Sequence, residues 1–211
     1  MRYPVVLFDV DGTLVDSAPD ICGAVQTVLA GTPRVGVPYD YLKTFIGRHL
    51  RDLFEDLFPA YEQPQIDALI AAYRQVYPLR EHASTRLYDG VAETMAMLPG
   101  RKATATTKAS TTARIVLEKF GLLPYFHHVQ GTDGFPSKPQ PDVIWKALKG
   151  LGASPDECLF VGDSAPDMEA GRAAGVHVCA VHYGYGRPED LARYEPEYAL
   201  RSFSELTRIL S

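Results

Sequence analysis

The sequence predicts an α/β fold: a parallel sheet with helices on both faces and a helical insertion near its start. Two observations carry this expectation. Short apolar runs recur along the 211 residues, each followed by a loop and a helical pattern, and strands alternating with helices build parallel sheets. The stretch from about Asp16 to Ser84 breaks the rhythm, holding no convincing strand but several helical patterns.

The first run is Val5–Phe8. A weaker one follows at Ala103–Thr106, then His127–Gln130, a stronger Leu159–Val161, and Val176–Val181. Helical patterns lie between them at Thr111–Phe120, Pro141–Leu151 and Asp167–Ala174. Inside the insertion, Ile46, Leu50, Leu53, Phe54 and Leu57 recur at i, i+4, i+7, i+8 and i+11, the stripe of one amphipathic helix. The insertion is read as roughly 65 to 70 residues between the first strand and the rest of the sheet. A last helix is announced by Ser202 with Glu205 three residues on, a capping-box pattern, before Leu206, Ile209 and Leu210.

A composition of 46% hydrophobic and 22% charged residues is that of a soluble globular chain. The formal charge of -5, without any run of like charge, offers no footprint for nucleic acid or an anionic membrane. Small-molecule chemistry is the expectation. Only four consecutive apolar residues, Val5 to Phe8, precede Asp9, too few for a signal-peptide core or a membrane span, so a cytoplasmic location is expected. Cys22, Cys158 and Cys179 are odd in number and lack CxxC spacing, as buried reduced thiols would be. The adjacent His127 and His128 lack spaced partners for a metal and read as strand-end packing.

Ligands of an open parallel sheet gather outside the carboxyl ends of its strands. Asp9 follows the first run, Thr106 and Thr107 end the weak one, and Asp163 follows Leu159–Val161 and Gly162, so three strand ends converge. Asp9, Asp11 and Asp163 together would repel and carry raised pKa values without a positive partner. Oxygen-only ligands suit Mg²⁺, a hard cation that often bridges to a substrate phosphate. Gly12 lets the backbone turn sharply so that amides face an anion. Thr106 adds a hydroxyl and Lys138 a cation, which completes the description of a phosphate site. A calcium loop is excluded, because its sixth and twelfth positions would be Leu14 and Asp20 rather than Gly and Glu.

These motifs carry a resemblance. DVDGTLVDS at 9–17, Thr106, Lys138 within KPQP, and GDSAPD at 162–167 resemble, in order and spacing, the four motifs of the haloacid dehalogenase superfamily, in its phosphoglycolate phosphatase-like branch. The resemblance implies a Rossmann-like core domain at 1–15 and 85–211 with a helical cap domain at 16–84. It also implies a Mg²⁺-dependent phosphatase, working as a monomer or homodimer on a small phosphorylated metabolite, 2-phosphoglycolate or similar, through an aspartyl phosphate.

By the same resemblance Asp9 is the nucleophile. Asp11 protonates the leaving oxygen and then activates water. Asp9, the carbonyl of Asp11 and Asp163 hold the metal, with Asp167 as a further ligand or a support for one. Gly12, Thr106, Thr107 and Lys108 lie where phosphate or substrate binds, and Lys138 offsets charge on Asp9. One departure stands out. Where close relatives often read Thr-Asn-Lys, this chain has Thr106, Thr107 and Lys108, and it contains no Asn at all.

Several residues support two readings. Asp16 and Ser17 read as a helix cap leading into the insertion or as part of the site. Asp167 reads also as a first-turn acid of a helix, and Lys108 as a solvated lysine. Arg48 and Arg51, opposite the apolar stripe, read as a solvated charged face or as partners of a second anionic group on the substrate, with Gly47 favouring a close approach. At the level of function a sugar phosphomutase, an inorganic pyrophosphatase and a phospho-acceptor signalling domain stay open, the last set back by the long insertion.

Overall fold

The computed structural model describes residues 2–210. In chain order, β1 (Val5–Phe8) and β2 (Val15–Asp16) precede four helices, α1 (Ala18–Leu29), α2 (Tyr39–Lys43), α3 (Leu50–Leu57) and α4 (Gln63–Leu79). There follow β3 (Arg86–Leu87), α5 (Val91–Met97), β4 (Arg101–Thr104), α6 (Ser110–Lys119), α7 (Asp142–Leu151), β5 (Cys158–Gly162), α8 (Ala165–Ala174), β6 (His177–Val181), α9 (Pro188–Ala192), β7 (Tyr198–Leu200) and α10 (Leu206–Leu210). Among the described residues no helix is long and apolar enough to cross a membrane.

The main sheet has the order β4-β1-β5-β6-β7, parallel throughout. Alternation along its strands divides the core. Val6 and Phe8 of β1 pack with Leu159, Val161 and residues of α5, α6 and α10 on one face. Val5 and Leu7 pack with Cys158, Phe160 and residues of α7 and α8 on the other. Successive side chains of a strand point to opposite faces, so a run apolar at every position is what a sheet covered on both sides requires.

Two expectations on strands need correction. His127–Gln130 is no strand but an isolated bridge between Ala103 and His128. Beside it, the Thr104 hydroxyl donates to the Gln130 carbonyl and accepts from the Gln130 amide, and the Thr104 and Thr106 amides reach the His128 and Gln130 carbonyls only at 3.3 and 3.4 Å. The strand expected at Ala103–Thr106 is Arg101–Thr104, so Thr106 lies beyond its end.

The helical insertion builds its own core. Ala18, Cys22, Val25 and Leu29 of α1 meet Leu53, Phe54 and Leu57 of α3 and Ile66 and Ile70 of α4. The expected single stripe is broken, because Gly47 takes φ +92° and His49 caps α3 by accepting from the Arg51 amide (3.2 Å). Ile46 therefore joins the same core from a preceding turn. The chain leaves and re-enters the sheet region side by side, since β2 and β3 pair antiparallel with Val15 opposite Leu87 and Asp16 opposite Arg86.

Candidate active site

Asp9 follows β1 directly, and its amide donates to the Val161 carbonyl (2.9 Å), which fixes the first acid at the carboxyl edge of the sheet. Two residues after Asp11 the chain has already turned, because Gly12 adopts φ +92°. A Cβ there would run into the Asp163 carboxylate, so only glycine lets the two loops approach this closely.

Asp163 stands at the end of β5 and is held from both sides. Its Oδ1 accepts from the Thr13 hydroxyl (3.0 Å) and its Oδ2 from the Tyr185 amide (2.8 Å). Asp167 opens α8 in a capping box: its Oδ2 accepts from the Ser164 amide (2.9 Å) and hydroxyl (2.6 Å). Its other oxygen accepts from Lys138. The same lysine donates to Asp9 Oδ1 (2.7 Å) and to the Ala105 carbonyl (3.1 Å), with its side chain fully buried.

Burial pushes the Asp9 carboxyl up to about 7, against the pull of Lys138 and with further upward pressure from Asp167 and Asp11. Burial, then Asp167 and Asp9, raise Asp163 well above the ordinary carboxylate range. Burial alone would lower Lys138, but Asp167 and Asp9 outweigh it and raise the lysine. Ligand oxygens of Asp9, Asp163 and Asp167 lie within 4.8 Å of one another. Three carboxylates against one ammonium leave a formal excess of two negative charges. Strained, oxygen-only and short by two charges, the cluster fits a divalent hard cation.

Asp11 points elsewhere. Its Oδ1 accepts from the Ser17 hydroxyl (2.5 Å), and its Oδ2 pairs with Lys108 (3.0 Å). Lys108 is no solvated lysine: its side chain is 7% exposed, and it donates to the Tyr77 hydroxyl (3.0 Å) from beneath α4. Burial opposes its charge, but Asp11, Tyr77 and Tyr73 outweigh that and raise its pKa. Thr106 is buried beyond β4, its hydroxyl oxygen accepting from the Lys108 amide (3.3 Å).

Thr107 and Lys108 line a cavity of about 240 Å³ between the inserted helices and the sheet edge, with Asp11 on its wall. Arg48 also lines it, exposed and stacked over Phe45 (5.4 Å), and is not drawn into the carboxylate centre. Arg51 stays within the insertion, bonded to Gln63, Asp67 and Glu55. Gly47 does make a close approach, since a Cβ there would lie 3.0 Å from Ser164 Oγ.

The sequence reading missed two tyrosines. Tyr185 donates its hydroxyl to Asp16 (2.8 Å) and accepts from the amides of Ser17 (2.8 Å) and Ala18 (2.9 Å), so it caps α1 in place of Ser17. The signal for it was YGYG at 183–186, just past β6, another strand end at the same sheet edge. Tyr77 sits on α4 and had no comparable signal, because an aromatic at helical spacing reads as packing.

Fold and site define a class: an α/β enzyme whose carboxylate and lysine centre lies at the strand ends beneath a helical insertion. The family model for haloacid dehalogenase-like hydrolases matches residues 6–181, and the chain belongs to that family. It is 32% identical to phosphoglycolate phosphatase 1 of Pseudomonas aeruginosa, over 97% of this chain and 79% of that protein. It is 31% identical to the phosphoglycolate phosphatase of Nitrosospira multiformis, over 100% and 98%. A crystal structure of a predicted phosphatase from Clostridium acetobutylicum superposes with a TM-score of 0.92 at 28% identity, covering 100% of this chain and 99% of the other.

Proposed function

We propose that the protein is a Mg²⁺-dependent phosphatase of a small phosphomonoester, working through an aspartyl phosphate. The observation that carries this reading is the Asp9–Lys138 pair, at the same strand edge as Asp163 and Asp167 and two residues from an acid that faces the cavity. The names of the relatives supply 2-phosphoglycolate as the first substrate to try. The division into a core of 1–15 and 85–211 and a cap of 16–84 belongs to the same proposal and is supported by the separate core of the inserted helices. So does a cytoplasmic location, with which three free buried cysteines agree.

In the first step a carboxylate oxygen of Asp9 attacks phosphorus, and the bond to the ester oxygen breaks as Asp11 gives that oxygen a proton. In the second, water attacks the phosphorus of the aspartyl phosphate, Asp11 takes its proton, and inorganic phosphate leaves Asp9 free. Lys138 favours the ionised form of Asp9 against the effect of burial and holds it in place. Asp167, with one oxygen on Lys138 and the other on Ser164, positions that lysine. Thr106 offers its hydroxyl and Thr107 its amide to phosphate oxygens, while Gly12, whose own amide donates to the Val15 carbonyl (2.8 Å), serves through its turn. Asp9, Asp163 and the Asp11 carbonyl would hold the metal, which when bound neutralises charge on the transferring group.

Steady phosphate release from a phosphomonoester, dependent on Mg²⁺ and without a bisphosphate activator, is expected; the last condition separates a phosphatase from a phosphomutase. Asp9→Asn should lower kcat by on the order of 10⁴-fold or more, as loss of a nucleophile does. Metal-independent release, or an active Asp9→Asn protein, would overturn the reading.

A further inference from the structure

We propose that the cap cavity selects a leaving group with an apolar body about the size of one ring, in preference to a two-carbon acid. This rests on the phosphatase reading and specifies the half of the substrate that the carboxylate centre leaves open. The cavity has two unlike ends. Toward the sheet edge its wall is Asp11, Thr107 and Lys108; toward the insertion it is chiefly Ile21, Phe45, Ile46, Leu50, Leu53 and Tyr73. An ester oxygen that receives its proton from Asp11 therefore has its carbon body directed at apolar side chains.

Size and charge both separate candidate bodies. A cavity of about 150 Å³ lined by Leu, Ile and Phe stays dry and takes benzene, so about 240 Å³ accommodates a ring and its linking carbon. A glycolate body fills a small part of that space. A carboxylate carried to the apolar end would lose hydration without a buried cation to replace it. Among the described lining residues, Lys108 is committed to Asp11 and Tyr77, Arg48 and Arg74 are exposed, and half-buried His49 accepts from the Arg51 amide through Nδ1 (3.2 Å). The Cys22 thiol, also on the wall, is held protonated by burial, its pKa pushed up to about 12, and adds no charge.

The test compares benzyl phosphate, ethyl phosphate and 2-phosphoglycolate with the full-length protein and Mg²⁺. All three lose an alkoxide, so activation of an aryl leaving group does not enter. Benzyl phosphate is expected to exceed both others in kcat/KM by about tenfold or more, the scale on which apolar pockets discriminate. Leu50→Gln, at a half-buried wall position, is expected to reduce that preference severalfold. A kcat/KM for 2-phosphoglycolate equal to or above that for benzyl phosphate overturns the inference and leaves the phosphatase reading intact.

Binding of the non-hydrolysable benzylphosphonate and phosphonoacetate, measured by calorimetry with Mg²⁺ present, gives an answer independent of turnover and of the variant's folding. Tighter phosphonoacetate binding overturns the inference. Absence of phosphate release from every ester instead overturns the phosphatase reading.

Discussion

At the edge of the sheet, Asp9, Asp163, Asp167 and Lys138 are buried together, each hydrogen-bonded to a named partner on a neighbouring loop. Across the cavity the inserted helices present mostly aliphatic and aromatic carbon, with arginines at the exposed positions. The first region is over-determined, since moving any one charge leaves another unpaired in a low-dielectric site. The second is held by packing, which tolerates exchange of one apolar side chain for another at modest cost. On the proposed function, reaction chemistry would be tied to the sheet and substrate choice to the insertion, so substitutions in the two regions should have different signatures.

The largest stability effect is expected from Lys138→Met, which leaves the buried carboxylates without their ammonium. A loss of about 3–5 kcal/mol follows from breaking a buried ion pair on one side, read as a lower urea midpoint, together with loss of turnover. A midpoint within the error of the parent protein would mean that the cluster is less buried or less charged than the geometry requires.

Next comes pH. Because Asp9 is raised to about 7 in the folded chain and is near 4 when unfolded, the folded state holds more protons between those values. Its stability therefore falls as pH rises from about 4 to 7. The metal-free protein should show a lower Tm at pH 7.5 than at pH 5.5. Adding Mg²⁺ near pH 7 should restore Tm with release of protons to the buffer. A metal-free Tm that climbs over this interval would contradict the assignment.

Tyr185→Phe removes the hydroxyl that serves Asp16, Ser17 and Ala18 at once. About 1–3 kcal/mol should be lost through the unsatisfied groups, detectable by denaturant titration. The smallest effect is expected from Arg51→Ala. Its partners Glu55 and Asp67 are exposed and lie within the insertion, so the change should cost about 0–1 kcal/mol and leave kcat unaltered. A large loss of turnover there would blur the separation of the two regions.

The sequence disclosed the first region far better than the second. Asp9 and Asp163 were legible because each follows a strand; Lys138 and Asp167 took their roles from the motif resemblance, and the structure sets Asp167 rather than Asp11 beside Asp9 and Asp163. Tyr77 was not legible, because its meaning depends on Lys108 arriving from a loop 31 residues away. The status of Lys108 stayed open for the same reason. Arg48 was assigned to a helix face because the Ile46–Leu57 stripe read as continuous, and a positive φ at Gly47 is not visible in hydrophobic spacing. The expected strand at His127–Gln130 failed since Val129 is its only aliphatic residue, and the Thr104 hydroxyl shares the Gln130 amide and carbonyl.

The pairing of β2 with β3 has a consequence for how such a chain can be rearranged. Asp16 and Arg86 are opposite one another in register, and α1 is fastened to the return path as well, because Asp20 accepts from Arg80 (3.2 Å), the Ser84 amide (2.9 Å) and the Thr85 hydroxyl (2.8 Å). The excursion thus begins and ends at neighbouring backbone positions, the spacing that a two-residue hairpin turn bridges. In engineering terms the inserted helices are a cassette with adjoining ends, open to excision or to replacement by a foreign module without rerouting any strand of the sheet.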